Sequence, residues 1–459
     1  MAGVVTAVGF AVLWYSLGDI NQQLAKSPRL NIPQLQRSEV GSSQNILLIG
    51  ADTRWTDRLA HQRGRSDTMI LLHLDPDQPQ VGVMSIPRDL RIQLDGRWQK
   101  FNASYELGGA SGVVGAIKQN LGIRVNHVFE INFGAFSRMV DALGCAYVDV
   151  DRRYYHKNGP GQDNYSEINL QPGYQKLCGT QALQFVRFRH TDTDYLRSFR
   201  QQDFLHQLSA QFGPSQLLEQ REQLIDLLSQ HMRTDLRGRW EIADLLRLLA
   251  FSATKPTYQV PWQGSDQIIG GVWYALATPQ QIRSNVRLWE NPPQITSHKQ
   301  KKNPNKRRSQ RRQKAVGMEN TAGWSKEQAH KIGHPDWQVW LPTKRPIGSY
   351  YSDLSPRAYQ IEDTLGNMHP AYRATLIDQN GNNWGIQGVG WDNPPLVRMV
   401  HETVRVGSKQ LQYYWDGKKL RYCAWQHNGW WYWVSNTLGR NLSSSQVINT
   451  CSSLAQFRS

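Results

Sequence analysis

The apolar positions of this 459-residue chain follow two recurring spacings over its first 290 residues. Short runs of consecutive apolar residues bounded by glycine or proline predict buried strands, and apolar residues three and four apart predict amphipathic helices. Strands that alternate with helices favour an α/β fold. The predicted strands cover 45–50, 68–74, 81–87, 147–150 and 183–189, and the predicted helices cover 112–121, 133–143, 201–212 and 217–232.

Residues 316–459 show a different pattern, in which short alternating runs are separated by turn dipeptides. Asp416-Gly417 and Asn428-Gly429 lie between runs rich in tryptophan and tyrosine, and both dipeptides are typical of tight β-hairpin turns. The segment holds ten of the seventeen tryptophans. Two interpretations stay open: the rings form the core of a small β or α+β domain, or exposed tryptophans stack on sugar rings.

These patterns divide the chain into five segments. The first seventeen residues are almost wholly apolar and uncharged, and seventeen is the lower limit for crossing a bilayer. A membrane anchor is favoured, and a cleaved signal and a buried helix are the alternatives. No lysine or arginine precedes the run, so the basic segment usual at the start of a signal peptide is missing. We predict an N-terminal anchor or signal (1–20), a stalk (21–43), a large α/β domain (44–292), a basic disordered linker (293–329) and a small C-terminal domain (330–459).

The formal net charge of +16 favours an anionic partner such as nucleic acid, phosphate, or an anionic membrane or wall. Nine lysines and arginines lie in residues 298–314, and without them the rest of the chain carries only +7. That run has no apolar residue, so it is predicted to be disordered. A solvated linker is favoured over a nucleic-acid-binding tail, because no aromatic residues are interleaved with the charges.

The four cysteines are Cys145, Cys178, Cys423 and Cys451, and no C-x-x-C pair supports a zinc or thioredoxin-type site. Four cysteines allow three pairings. The basic linker separates them into two pairs, which favours Cys145–Cys178 and Cys423–Cys451, with free buried thiols as the alternative. Disulfides form in oxidising compartments, so this pairing agrees with an extracytoplasmic location.

Arginines and carboxylates gather in four clusters beside predicted strand ends. Guanidinium groups bind phosphate oxygens through paired hydrogen bonds and stay charged, so the composition indicates a phosphate site, with surface ion pairs as the alternative. The predicted strand over 183–189 places Arg187 and Arg189 on one side, and helical spacing places Arg197 and Gln201 on one face. The clusters contain Asp52 and Arg54, then Arg65 and Asp67, then Arg88 and Asp89, and last Arg187, Arg189, Asp194, Arg197, Arg200 and Gln201.

Asp52 and Asp67 form a candidate metal site. Two neighbouring carboxylates repel each other unless a cation lies between them, and Mg²⁺ prefers such a pair with phosphate oxygens and water, as does Mn²⁺. A divalent ion surrounded by arginines indicates a pyrophosphate held for displacement. No G-x-S-x-G elbow and no P-loop motif occurs in the sequence.

Seven segments, in this order, resemble the LytR-CpsA-Psr family of cell-wall glycopolymer transferases. The resemblance covers roughly residues 43–212, with a looser continuation to about residue 290. It implies a three-layer α-β-α sandwich with a central mixed sheet and an apolar pocket for a polyprenyl chain. The segments are NILLIGADTR, RSDTMILLHLDP, VMSIPRDLRI, FNASYELGG, FSRMVDALGCAYVDVD, INLQPGYQKLCGTQALQFVRFRHTD and LRSFRQQDFL.

The resemblance implies a phosphotransferase of the glycopolymer–peptidoglycan ligase type. Such an enzyme moves a glycopolymer with its phosphate from a polyprenyl-pyrophosphate carrier to a peptidoglycan or other wall hydroxyl. By the family motifs, Asp52 and Asp67 bind Mg²⁺, and Asp89 and Asp194 orient arginines or supply the base toward the acceptor. The residues expected to hold the pyrophosphate or shape its pocket are Arg54, Arg65, Arg88, Arg187, Arg189, Arg197, Arg200 and Gln201, and Arg88 is also expected to be catalytic.

Two departures from the family pattern bear on these expectations. Ala51 stands where the family motif GSDxR has serine, so a hydroxyl is missing there, and cysteines at 145 and 178 replace residues that are not cysteine, which supports a bridge. Two rival functions remain. A pyrophosphatase would use the same residues with water as acceptor, and an anionic-polymer-binding regulator is less favoured. No nucleic-acid partner is expected, because an exported chain has little access to DNA and no nucleic-acid-binding motif occurs.

Overall fold

The structure of the chain is a computed structural model. The apolar run 1–17 and the basic run 298–314 lie outside the residues that it describes. None of the described helices is long and apolar enough to cross a membrane. The described residues are 21–22, 28–52, 65–159, 166–188, 194–211, 232–252, 255, 257–260, 262, 264–293, 317–398, 400–416 and 418–457.

Strands and helices alternate in the first part of the described chain, and strands predominate in the second. The strands are β1 (Gln44–Asp52), β2 (Arg65–Leu74), β3 (Val81–Ser85), β4 (Arg91–Leu94), β5 (Arg97–Lys100), β6 (His127–Asn132), β7 (Ala146–Val150), β8 (Tyr154–His156), β9 (Ile168–Leu170), β10 (Gly173–Leu177), β11 (Met232–Thr234), β12 (Thr257–Gln259), β13 (Ser265–Ile269), β14 (Val272–Leu276), β15 (Met318–Asn320), β16 (Val339–Pro342), β17 (Lys344–Pro346), β18 (Tyr350–Tyr351), β19 (Arg357–Glu362), β20 (Met368–Ile377), β21 (Asn383–Val389), β22 (Glu402–Val406), β23 (Lys409–Asp416), β24 (Lys419–His427), β25 (Trp430–Ser435) and β26 (Leu454–Phe457). The helices are α1 (Ala103–Leu121), α2 (Phe133–Ala142), α3 (Gly179–Arg187), α4 (Asp194–Ser209), α5 (Arg239–Ser252), α6 (Pro279–Glu290), α7 (Ala322–Ile332) and α8 (Ser444–Ser452).

The chain divides into two compact units, and the division differs from the predicted domains. Unit 1 consists of Met1–Cys145 and Cys178–Pro292, and unit 2 consists of Ala146–Leu177 and Pro293–Ser459. Residues 146–177 therefore group with the C-terminal segment, although the sequence pattern places them inside a domain over 44–292. The remaining predicted boundaries stay predictions.

A six-stranded mixed sheet with the order β11-β6-β1-β2-β3-β12 forms the centre of unit 1. β1 is antiparallel to β2 and parallel to β6. Side chains alternate along β1, so Leu47 and Ile49 pack with α1 and α6 in one core, and Ile46 packs with α5 in a second core. Helices thus pack against a mixed sheet, which confirms the α/β class.

The strand predicted over 183–189 is wrong. This segment lies in helix α3, in which Ala182, Phe185 and Val186 are buried at helical spacing, and the helix ends before an extended Phe188. A short apolar run does not separate a strand from a buried helix by its spacing alone. Arg187 and Arg189 therefore do not share a strand face, and Arg189 lies outside the described residues. The helix predicted over 217–232 falls mostly outside them as well, and Met232 begins β11.

Unit 2 contains an eight-stranded antiparallel sheet with the order β18-β20-β21-β25-β24-β23-β22, in which β19 also pairs with β20. Asn428 and Gly429 have φ angles of 47° and 77° between β24 and β25, as a type I′ hairpin turn requires. Six of the ten tryptophans in this segment are buried, which favours the core interpretation for them. Glycan binding by the segment stays a prediction.

Residues 146–177 join unit 2 through an aromatic core. Tyr147 and Tyr174 belong to the same buried cluster as Trp391 and Trp433, and the rings of Tyr174 and Trp433 meet edge to face at 5.2 Å between centroids. This grouping joins positions more than two hundred residues apart in the chain. Local spacing carries no information about such a partner, so the sequence pattern does not reveal it.

Cys145 and Cys178 form a disulfide at the points where the chain leaves and re-enters unit 1, and Cys423 pairs with Cys451 in unit 2. Replacing both Cys145 and Cys178 with serine is expected to lower the free energy of unfolding by about 2–4 kcal/mol, because the bridge restricts the unfolded chain. Urea unfolding of the parent and the double variant checks this. A thiol titration that finds free thiols in the unreduced, unfolded parent would contradict the pairing.

His73 makes the stability of unit 1 depend on pH. The ring is buried, with Nδ1 2.7 Å from Oδ1 of Asn45, and burial lowers the pKa of His73, partly offset by Asp75. Because the unfolded chain takes up the proton first, stability falls as pH drops below the usual pKa of about 6.5, by at most about 1.4 kcal/mol per pH unit. We expect urea midpoints at pH 7.5 and 5.5 to differ less in His73→Asn than in the parent. An equal difference would mean that other groups cause the dependence.

Candidate active site

The strand register brings the ends of three strands to one edge of the central sheet. β1 ends at Asp52, which pairs with Arg65 at the start of β2. β3 ends at Ser85 and is also antiparallel to β2. The end of β1, the start of β2 and the end of β3 therefore lie at the same edge, which gathers the first three predicted clusters.

The strand register also brings the backbone of Asp52 on β1 close in space to that of Asp67 on β2. Gly50 pairs with Thr68 and Ala51 with Ser66, so Asp67 is the extra residue of a bulge. Two carboxylates at such neighbouring backbone positions would suit a hard divalent cation. The side chains of Asp52 and Asp67 lie outside the described residues, so the metal pair stays a prediction.

Two further predicted arginines cannot be placed. The side chain of Arg65 and the whole of Arg54 fall outside the described residues. Elsewhere in the described part of the chain, the one group with metal-ligand spacing is Asp141 with Cys145 and Cys178. Those sulfurs form the disulfide, and Oδ1 of Asp141 accepts a hydrogen bond of 2.7 Å from the backbone N–H of Gly179. This group is therefore structural.

Arg88, Asp89 and Lys100 form an ion-pair group just past β3. Nε of Arg88 donates to Oδ2 of Asp89 at 3.2 Å, and Nζ of Lys100 lies 2.9 Å from Oδ1 of the same carboxylate. Asp89 is buried, and its backbone carbonyl accepts from the N–H of Ala275 at 2.9 Å. Both carboxylate oxygens are engaged by cations, so Asp89 is placed to orient Arg88.

Gln201 lies on helix α4 and forms hydrogen bonds with three other elements at the candidate site. Its Nε2 donates to Oγ1 of Thr68 at 3.0 Å and to the carbonyl of Val186 at 3.2 Å, and its Oε1 lies 3.4 Å from Oγ of Ser85. One side chain thus joins β2, β3 and α3. Arg197 lies one turn earlier on α4 and is buried, as the predicted common face requires.

Arg200 lies in the interior of the protein and binds carbonyl groups at the end of α3. Its side chain is fully buried, with Nε donating at 2.6 Å to the carbonyl of Phe185 and Nη2 donating to the carbonyl of Phe188. Carbonyls at the end of a helix lack partners within the helix, and a cation there also interacts favourably with the helix dipole. Of the two predicted roles, the structure favours shaping the pocket over direct contact with pyrophosphate.

Arg187, Gln201 and the end of β1 meet around Gly50. The guanidinium carbon of Arg187 lies 4.0 Å from the ring centroid of Phe133, the first residue of α2. A methyl group at Gly50 would lie 3.0 Å from Cβ of Thr68 and 3.7 Å from the Phe133 ring. Glycine therefore permits the close approach of these two side chains, and each of them contacts a predicted phosphate-binding residue.

Lys100 and Thr68 are site residues that the sequence reasoning missed. Lys100 ends a short hairpin whose Asp95-Gly96 turn pairs Arg91 with Lys100, and that turn signal is visible in the sequence. Thr68 adjoins Asp67 in the chain, but its contact with Gln201 joins residues 133 positions apart. Asp194 begins α4, and its side chain lies outside the described residues.

Proteins of known name match more than half of the chain. TagU of Halalkalibacterium halodurans, a polyisoprenyl-teichoic acid–peptidoglycan teichoic acid transferase, is 30% identical over 244 residues, which is 52% of this chain and 75% of that protein. TagT of Bacillus subtilis, a transferase of the same name, is 26% identical over 293 residues, 63% of this chain and 89% of that protein.

A solved structure, that of B. subtilis TagV, matches with a TM-score of 0.44 and 24% identity over 55% of this chain and 99% of that chain. The model of the LytR_cpsA_psr family matches residues 15–288, which include every predicted site residue. That match spans more than half of the sequence, and the chain belongs to the LytR_cpsA_psr family.

Proposed function

We propose that this chain is a phosphotransferase that moves a glycopolymer, with its phosphate, from a polyprenyl-pyrophosphate carrier to a hydroxyl of peptidoglycan or another wall polymer. The observation that carries the proposal is the gathering of Arg88, Arg187 and Gln201 at one edge of the unit 1 sheet. Two partly exposed guanidinium groups and a buried amide group at one edge suit a phosphate-rich ligand. The two relatives named as teichoic acid transferases support the same activity.

In the proposed reaction, the acceptor oxygen attacks the phosphorus that carries the glycopolymer. The bond from that phosphorus to the bridging oxygen breaks, and polyprenyl phosphate leaves with the electron pair. Arg88, oriented by Asp89, stabilises the charge that develops on the leaving phosphate. The hydroxyl proton passes to a base, and Asp194 is the candidate, because both oxygens of Asp89 are engaged by cations.

Asp52 and Asp67 are proposed to hold Mg²⁺ or Mn²⁺. When bound, the ion neutralises charge on the pyrophosphate oxygens. The bulge that holds Asp67 directly follows the Ala51–Ser66 pair, which is next to the Asp52–Arg65 pair, and this closeness of the two backbones supports the assignment. Arg54, Arg65 and Arg189 complete the proposed pyrophosphate-binding set on the family motifs alone, since their side chains fall outside the described residues.

The proposed location is outside the cytoplasm, with residues 1–20 anchored in the membrane that holds the lipid carrier. The apolar run 1–17 and the two disulfides support this location, because disulfides persist in oxidising compartments. The helices on the sheet of unit 1 agree with the proposed three-layer arrangement. No catalytic role is proposed for residues 330–459.

The test is transfer of labelled sugar phosphate from a synthetic polyprenyl-pyrophosphate donor to peptidoglycan fragments. We expect labelled phosphodiester on the acceptor with Mg²⁺ and its loss with EDTA, restored by added Mg²⁺ or Mn²⁺. Release of sugar phosphate without an acceptor adduct would instead identify a pyrophosphatase. Transfer that continues at full rate in EDTA would overturn the metal assignment and leave the transferase assignment intact.

A further inference from the structure

Helix α5 carries apolar residues on both its buried and its exposed sides. Ile242, Leu245 and Leu248 pack into the core of unit 1. On the outside, Trp240 is 69% exposed and Phe251 is 59% exposed, and these two positions lie on one helical face. Leu246 and Leu249 are also exposed, on the other edge of the solvent-facing side of the helix. A soluble surface rarely presents this many large apolar side chains on one helix, and such patches mark contact sites.

The charges on this face are basic. Arg247 is half exposed on the same face as Trp240, with Nη2 3.5 Å from Oδ1 of Asp244, and Arg29 and Arg37 are exposed on the adjoining segment. The two carboxylates of α5 have partners within the protein: Asp244 accepts from Gln44 and Gly41, and Glu241 accepts from a backbone N–H. The face therefore presents apolar and cationic groups together, which is the composition of a helix that lies in the interface of an anionic bilayer.

A cavity of about 300 Å³ opens beside the start of α5. Trp240 and Val40 line it together with Arg29 and Arg37. Gln44 lies inside it, is almost fully buried, and its Oε1 has no hydrogen-bond partner. The carboxylates of Asp235, Glu241 and Asp244 also line the cavity, and each accepts a hydrogen bond from within the protein. The exposed guanidinium groups of Arg29 and Arg37 suit a lipid phosphate, and the unpartnered Gln44 oxygen suits a hydroxyl or ammonium group of the same headgroup.

The described chain begins next to this face. The side chain of Asn21 accepts a hydrogen bond of 2.9 Å from the backbone N–H of Gly238, the residue before α5. Four positions earlier the apolar run 1–17 ends. Four residues span at most about 14 Å, so a run held in a bilayer keeps α5 close to that bilayer.

We propose that the exposed face of α5, with the cavity beside it, docks unit 1 onto an anionic phospholipid bilayer. The contact rests on the membrane location in the proposed function, and it goes beyond a single tether because it fixes which side of unit 1 faces the lipid. Trp240 and Phe251 lie at the level of the headgroups, and Arg29, Arg37 and Arg247 bind lipid phosphates.

Site-specific fluorescence tests the contact on the full chain. The four native cysteines are paired, so a single introduced cysteine takes an environment-sensitive NBD label. The label is placed by Phe251→Cys on α5, by Val272→Cys at the exposed tip of the β13–β14 hairpin, or by Leu365→Cys in unit 2. The three proteins are mixed with vesicles of phosphatidylglycerol and phosphatidylcholine that carry a shallow doxyl quencher.

We expect quenching at position 251 to exceed that at 272 and 365 by about twofold or more, and to weaken when Arg29 and Arg37 are both replaced by glutamine. Equal quenching at all three positions, or stronger quenching at 272, would overturn the proposal. An NBD label at position 251 whose fluorescence already indicates an apolar environment without vesicles would also overturn the proposal, because the chain itself would then cover this face of α5. The transfer assay is not part of this readout, so failure of the proposed function and failure of the contact are separate results.

Discussion

Replacing Arg88 with alanine is expected to slow transfer by about 100- to 1000-fold, the range for loss of one preorganised group that stabilises developing charge. Arg88 lies just past β3 and is held by Asp89, whose second oxygen is held by Lys100. The pair fixes the guanidinium before substrate arrives, so its loss removes stabilisation that water does not replace. Single-turnover rates with the polyprenyl-pyrophosphate donor measure the effect.

Three variants make the Arg88 result specific. Arg88→Lys keeps the charge without the paired donors, and we expect an intermediate rate. Asp89→Asn frees Arg88 from its partner, so its rate is expected to fall less than that of Arg88→Ala. Arg97→Ala removes an exposed arginine from the hairpin that ends at Lys100, and its rate should match the parent. A parent-like rate for Arg88→Ala would remove Arg88 from the proposed site.

Replacing Arg373 with methionine is expected to lower the free energy of unfolding of unit 2 by about 3–5 kcal/mol. Arg373 and Asp149 are both buried, and Nη1 of Arg373 donates to Oδ1 of Asp149 at 2.9 Å. Nη2 donates to Oγ of Ser435 at 3.0 Å, and Nε1 of Trp433 lies 3.4 Å from Oδ2 of Asp149. Methionine would leave a buried carboxylate without its cation. Urea unfolding followed by tryptophan fluorescence measures the loss.

Two comparisons separate this buried pair from an ordinary ion pair. Lys331 and Glu327 form a pair of 2.7 Å on the exposed face of α7, and Lys331→Met is expected to change stability by less than about 1 kcal/mol. The double variant Asp149→Leu with Arg373→Met removes both buried charges, and we expect it to recover much of the loss. If Arg373→Met were as mild as Lys331→Met, the buried pair would not anchor residues 146–177 in unit 2.

Much of the candidate site was predictable from the sequence because its residues lie next to strand ends. Apolar runs marked β1, β2 and β3, so the charged residues that follow or precede them were expected beside strand ends, and the strand register brings these ends to one edge. The arginines and acids at these positions also match the family motifs. The role of each arginine, as a ligand-binding group or as a structural support, was less predictable. Arg200 is charged like Arg88, yet burial against the end of α3 makes it a structural support.

The error at 183–189 and the grouping of residues 146–177 have one physical cause. Spacing along the chain reports which side chains of an element face inward, and it does not report what covers them. The short apolar run at 183–189 fits a strand and a buried helix equally well, and packing of α3 against α4 selects the helix. Residues 146–177 meet their partners only in the folded chain.

The sequence by itself determined the α/β class, the positions of the first three strands to within about three residues, the β-hairpin turn at Asn428-Gly429 and the family motifs, because each depends on residues close together in the chain. Only the tertiary structure decided that Lys100 engages the carboxylate of Asp89, that Gln201 joins β2 to β3 and α3, and that Asp149 pairs with Arg373. These contacts join residues between 11 and 224 positions apart in the chain. Their free energy depends on burial and distance, which exist only once the sheets have packed.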